Sequence, residues 1–260
     1  MNFSSLDDHL SQYIKPAILL LLFLVLCYAG YHQTEYYEAI SSNVMSEIPI
    51  YCVDTGDKPQ ISVTFDSAWG TEDLEEILAI LKKHKCVAAF FVTGDWAEEH
   101  PEAIRAISQD GHIIGNHGHH HKHMTQLDAQ GMSDEIMGCH NIIKQQTGND
   151  MMFFRAPYGD YNEAVVEAAK KCSYYTIQWD VDSLDWKDYG VDAIVHTVCD
   201  HKHLGPGSIL LLHNGSKYTK DALDTLLLNL ESQGYQFVPL DQLIWQGDYE
   251  IDHEGRMHGK

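Results

Sequence analysis

From Gln60 onward, short apolar runs alternate with amphipathic stretches. The runs ISVTF (61–65) and VAAFFV (87–92) flank EDLEEILAILKKHK, in which Leu74, Ile77, Leu78 and Leu81 recur at helical spacing, a β-α-β opening. The alternation continues through HIIGNH, a helical stretch from Ala129 to Gln146, FFRAP, a helix over Asn162 to Lys171, YYTIQW and VDAIVHTVCDHK. GSILLLH, a helix over Lys220 to Ser232 and the strand YQFVPL complete it. Strands that are apolar on both faces need cover on both faces, which implies a parallel sheet under helices. About seven such units over this length predict an α/β fold closed as a distorted (β/α)7-type barrel rather than an open sheet.

Upstream the pattern changes. Ala17 to Ala29 run AILLLLFLVLCYA without a charge, and Tyr13 to Tyr31 are interrupted only by Lys15 and Pro16. The run is shorter than the ~20 residues that span a bilayer comfortably, a length shared by signal-peptide cores and short signal anchors. No A-x-A pattern follows and Leu26 precedes Cys27, so one uncleaved N-terminal hydrophobic helix is the expectation, with secretion if the segment is cut. Lys15 before the segment, with Glu35 and Glu38 after it, points the bulk of the chain outward across the membrane. The expected organisation is a cytoplasmic stub and anchor at 1–31, a stalk and lead-in at 32–58, one globular domain at 59–243, and a polar, frayed tail at 244–260.

Charge removes one class of function. Seventeen basic residues against 38 acidic ones give a formal charge of −21, which repels phosphate backbones and excludes nucleic acid as a partner. Of six cysteines, Cys27 lies in the hydrophobic segment and the other five show no C-x-x-C spacing, so free thiols are expected rather than a disulfide framework.

In β/α barrels, reactive side chains sit where strands run into loops at their C-terminal ends. Here those positions carry Asp66, Asn116 and His117, Arg155, the group Asp180, Asp182, Asp185 and Trp186, and His213. One histidine at a strand end is usually structural. His117 and His121, spaced His-x-x-x-His, can place two neutral imidazoles around one divalent metal, with the Asp66 carboxylate binding or activating a water beside it, a set that favours zinc-like ions. His119, His120 and His123 read as solvated loop residues or loose surface ligands.

Together these motifs resemble the polysaccharide deacetylase family, the NodB homology domain of carbohydrate esterase family four, over residues 59 to 243. They stand here in order as Thr64-Phe65-Asp66-Ser67, His117-Gly118-His119-His120-His121, Arg155-Ala156-Pro157-Tyr158-Gly159, Asp182-Ser183-Leu184-Asp185-Trp186 and Leu211-Leu212-His213. The resemblance implies a metal-assisted hydrolase that removes N-acetyl groups from amino sugars of peptidoglycan or a related polysaccharide. It implies Asp66 as general base, His117 and His121 as metal ligands, zinc or cobalt as the metal, and Arg155 holding Asp66 ionised. It further implies Tyr158 at the oxyanion, Trp186 and Leu211 walling the acetyl pocket, and His213 as general acid aimed by Asp185.

Two positions depart from the family pattern. Ser67 stands where most members carry a metal-binding aspartate, and Gly118 stands in place of the usual hydroxyl residue. Losing a carboxylate weakens the expected metal site and draws Asp66 toward the ion. The variant Phe-Asp-x-Ala-Trp-Gly resembles the sporulation-associated branch, in which such an anchor is common. A catalytically impaired wall-binding or sporulation scaffold is therefore the alternative, and a hydrolase of small cyclic amides a third reading.

Overall fold

The computed structural model describes residues 47–260. A short strand β1 (Cys52–Val53) leads into β2 (Gln60–Ser67), α1 (Leu74–Lys83), β3 (Ala89–Val92), α2 (Gly94–Glu99), α3 (Pro101–Gln109) and β4 (Ile113–Asn116). Then come α4 (Ala129–Thr147), β5 (Phe153–Phe154), α5 (Glu163–Lys171), β6 (Tyr175–Thr176), β7 (Val181–Asp182), α6 (Val191–Cys199) and β8 (Ile209–His213). The chain finishes with α7 (Thr219–Ser232), β9 (Gln236–Phe237), α8 (Leu240–Leu243), β10 (Tyr249–Ile251) and β11 (Arg256–Gly259). The main sheet runs β6-β5-β4-β3-β2-β8-β7 with β9 added against β2, and every pairing in it is parallel. This is the α/β architecture the alternation predicts.

Side-chain alternation along the strands sorts the core into two layers. Val63 and Phe65 of β2, Phe90 and Val92 of β3, and Leu210 and Leu212 of β8 pack outward with Ile77 and Leu81 of α1 and Leu223 and Leu227 of α7. Their strand neighbours Ala89, Phe91 and Ile209 face inward, where Ile50, Phe153, Leu240 and Met257 join them. Thr64 and Asp66 share the inward face with them, as the two-residue period of a strand requires.

The seam of the curled sheet is crossed by the lead-in. Ile50 bridges in parallel to Ile177, just after β6, and Cys52 bridges antiparallel to Ser208, just before β8. Val53 N–H donates to Gly207 O at 3.0 Å. Gly207 has φ of 86°, and a Cβ there would lie 1.7 Å from Val53 O, so only glycine lets the two segments meet.

Residues 48–53 therefore belong to the domain and not to a stalk. The tail expected to fray at 244–260 forms β10 and β11, with β11 parallel to β1 and Met257 fully buried. Its polar residues hide one apolar anchor in a segment too short to show periodicity. Helices α2 and α3 likewise stand where the pattern signals none; Thr93 caps α2 by accepting from Trp96 N at 3.2 Å, and Pro101 opens α3. Among the described residues no helix is long and apolar enough to cross a membrane, and the hydrophobic segment 13–31 lies outside them. Cys52, Cys86, Cys139, Cys172 and Cys199 are free thiols.

Candidate active site

Strands β2 and β8 pair so that Asp66 and His213 are register partners at the C-terminal ends of neighbouring parallel strands. Both line one cavity of 420 Å³ together with Trp69, His117, His121, Tyr158, Gly159, Trp179, Asp182, Trp186 and Leu211. Seven of the nine residues singled out from sequence thus meet in one hollow, and the other two, Arg155 and Asp185, stand directly behind it.

Arg155 follows β5 and is wholly buried. Its guanidinium donates to Asp66 Oδ1 at 2.7 Å, to Thr64 Oγ1 at 3.0 Å and to Gln178 O at 3.1 Å, and lies 4.0 Å from the Phe91 ring centroid. Burial pushes the Asp66 carboxyl up, but His117, Arg155 and His213 together outweigh it and hold the group below the usual carboxylate range. Asp66 is therefore an anion with Oδ1 committed to Arg155.

The imidazoles are held neutral. Burial lowers His117, with Asp66 opposing less strongly, and it lowers His121 to about 4. His117 Nδ1 lies 2.8 Å from Arg155 O, a pure acceptor, so Nδ1 carries the proton and Nε2 presents its lone pair. That Nε2 lies 3.4 Å from Asp66 Oδ2. Two electron-pair donors facing each other at this distance call for a cation or a proton donor between them, and the spacing is that of two ligands on one tetrahedral ion. The His121 ring lies 5.1 Å from that of His117, with 57° between the two planes. Ser67 Oγ, next along β2, is buried without a hydrogen-bond partner. The donor set fits a divalent metal ligated by fewer carboxylates than two aspartates would supply.

On the opposite strand His213 Nδ1 contacts Asp185 Oδ1 at 2.7 Å, while Asp185 Oδ2 accepts from His213 N at 2.7 Å and from Thr219 Oγ1 at 2.6 Å. Burial favours the neutral ring, but the hydrogen bond and charge of Asp185, with Asp66 and Asp182, raise His213 above the ordinary histidine value. The site thus sets a base held low against an acid held high.

Aromatic rings form the walls. Trp69, Tyr158 and Trp186 are each more than half exposed. Trp69 meets the His121 ring edge-on at 5.5 Å and lies 6.3 Å from His213. Tyr158 sits between His121 at 4.4 Å and His123 at 4.2 Å, and its φ of 63° keeps a non-glycine residue in the left-handed region at the rim, which costs on the order of 1 kcal/mol. Leu211 is the buried apolar floor. Asp182, a strand-end candidate given no role from sequence, and Trp69, present there only within a motif, also line the wall; Trp179 was missed, and its place at the end of the run YYTIQW was the available signal.

Asp95, His119 and His120 are the histidine and acidic groups, among the described residues, whose ligand atoms lie within 4.8 Å of one another. His119 and His120 stack at 3.8 Å and 17°, on the side of the loop away from the cavity residues. His120 bonds Asp95 at 2.9 Å. His120 is exposed, whereas the His119 ring packs against Gly94 and Gly138.

Comparison with known proteins places the chain among relatives of one kind. The family profile described as polysaccharide deacetylase matches residues 54–177. The peptidoglycan-N-acetylmuramic acid deacetylase PdaA of Bacillus subtilis is 33% identical over 199 residues, covering 74% of this chain and 73% of the relative. A peptidoglycan-N-acetylglucosamine deacetylase of Bacillus cereus is 31% identical, covering 72% and 69%. Among solved structures, a family 4 carbohydrate esterase pseudoenzyme from Bacillus anthracis superposes with a TM-score of 0.73 at 30% identity, covering 83% of this chain and 74% of that one.

Proposed function

The chain belongs to the polysaccharide deacetylase family, and on that premise we propose that it hydrolyses the acetamide of N-acetylated amino sugars in peptidoglycan, releasing acetate and a free amine. The observation that carries this reading is the pair of opposed dyads, Asp66 with Arg155 and His213 with Asp185, facing one cavity beside two neutral imidazoles.

His117 and His121 would hold the metal, with Asp66 Oδ2 at its edge, and two imidazoles beside a carboxylate suit zinc, with cobalt as a substitute. A divalent ion bound there supplies Lewis-acid polarisation of the acetyl carbonyl and acidifies water. Asp66 Oδ2 takes the proton from the attacking water as its oxygen adds to the carbonyl carbon. Arg155 keeps that carboxylate charged and fixed through Oδ1. His213 then gives its Nε2 proton to the sugar nitrogen as the carbon–nitrogen bond breaks, and Asp185 stabilises the imidazolium until that moment. The backbone N–H of Tyr158 is assigned to the oxyanion, and Trp186 and Leu211 enclose the acetyl methyl. Substrate access fits an extracytoplasmic domain tethered by segment 13–31.

The full chain with zinc or cobalt should release acetate from acetylated peptidoglycan, and His121→Ala should abolish the release. A second reading is favoured by Ser67 and by the likeness to a pseudoenzyme: a wall-binding scaffold that kept the hollow without the chemistry. Equal inertness of wild type and His121→Ala, with metal bound to the wild type, would establish that reading instead.

A further inference from the structure

Across residues 118–120, the loop joining the two candidate metal ligands, five of the six backbone groups find hydrogen-bond partners. Gly118 N–H donates to Asn116 Oδ1 at 2.9 Å, while Gly118 O and His119 O accept from Gly94 N and Asp95 N, each at 3.0 Å. The two remaining donors, His119 N–H and His120 N–H, both go to Glu135 Oε2, at 3.1 and 2.7 Å. Glu135 sits on α4, 3% exposed, with Oε1 2.8 Å from Lys122 Nζ. One buried carboxylate thus grips the midpoint of the five-residue span from His117 to His121. A negative oxygen facing two successive peptide N–H groups is a strong, directional anchor. The chain needs one here, because Gly118 turns at φ of 77° and His121 is itself left-handed at φ of 52°. No motif residue supplies this hold.

We propose that Glu135 is a positioning residue whose carboxylate, by clamping the His119 and His120 amides, sets the spacing and inclination of the His117 and His121 imidazoles. Its link to catalysis rests on the deacetylase reading, but the clamp itself does not. The contact with Lys122 is secondary, since that side chain is half exposed and reaches the oxygen that does not bind the loop.

Three variants of the full chain separate these roles. Cobalt binding is followed by the visible absorption of the ion, and the clamp by amide hydrogen exchange of His119 and His120 in metal-free protein. Glu135→Ala, folded by circular dichroism, should bind cobalt about 10- to 100-fold more weakly, the range found when a group supporting a metal ligand is lost. Its two amides should exchange about tenfold faster or more, as expected of donors that lose their acceptor. Glu135→Gln, whose amide oxygen can accept both N–H groups, should recover most of both losses, and Lys122→Ala should stay near wild type in both. Loss of kcat without a change in KM should accompany the weaker binding. Wild-type cobalt affinity and exchange in folded Glu135→Ala would overturn the proposal, and so would a Glu135→Gln protein as impaired as the alanine variant. A wild type that takes up no cobalt would remove the deacetylase reading, while the exchange rates still decide the clamp.

Discussion

Replacing Asp185 by asparagine removes one negative charge behind the proposed acid and leaves the volume unchanged. Oδ2 already holds two donors, His213 N at 2.7 Å and Thr219 Oγ1 at 2.6 Å, and the amide oxygen of asparagine can keep both. The amide nitrogen is then forced to face His213 Nδ1, where Oδ1 stood 2.7 Å away. Nδ1 must become an acceptor, and an imidazolium there loses its counter-charge. A hydrogen bond to a charged group contributes about 1.5–3 kcal/mol, so kcat/KM at neutral pH should fall about 10- to 150-fold, given about 1.4 kcal/mol per factor of ten. The pH profile carries the more specific signature. His213 is raised because Asp185 outweighs burial; without that charge, the alkaline limb of acetate release should move to lower pH. The same raised value means that wild-type stability from this pair is full below the unfolded histidine value and is lost as pH rises through the folded one, a slope that Asp185→Asn should flatten. Acetate release measured from pH 5 to 10, with thermal unfolding across the same range, reads both effects. An Asp185→Asn enzyme with unchanged kcat/KM and an unmoved alkaline limb would refute His213 as the acid.

Ser67→Asp restores a carboxylate beside the imidazoles: zinc affinity by competition with a chelating dye should rise about tenfold or more, with a metal-free protein less stable than wild type. Arg155→Met leaves the Asp66 charge buried and unpaired, so stability at neutral pH should drop about 3–5 kcal/mol, and the deficit in denaturant titrations should shrink as acid protonates Asp66. Met257→Ala should cost about 2–5 kcal/mol by thermal unfolding, because the side chain is fully enclosed by the inner layer, whereas a frayed tail would show no change. Dialysis against a chelator should abolish acetate release, with zinc or cobalt restoring it and magnesium failing to, since imidazoles are poor ligands for magnesium.

The sequence showed the parts of the molecule that repeat or concentrate chemistry. Leu74, Ile77, Leu78 and Leu81 marked α1 because one helix face must meet the sheet, and all four are buried. Asp66 and His213 were visible as strand-end residues, and their register partnership follows from β2 and β8 being neighbours. What stayed hidden depends on tertiary contact. Helix α2 is six residues long and gives no periodicity to read. β11 is anchored by Met257 alone among polar neighbours, and only the fold reveals that it lies against β1. Glu135 carries no local signal either, since a glutamate on an amphipathic helix looks solvated until the loop it holds is placed against it.

The stretch that crosses the seam at Ile50 and Cys52 pairs with a strand far along the polymer, Cys52 being the register partner of Arg256 in β11. Contacts this distant along the polymer form late, after the local β-α units have collapsed. The seam crossing and the β11 strand that covers it are therefore the part of the domain expected to assemble last, whatever the order in which the β-α units form.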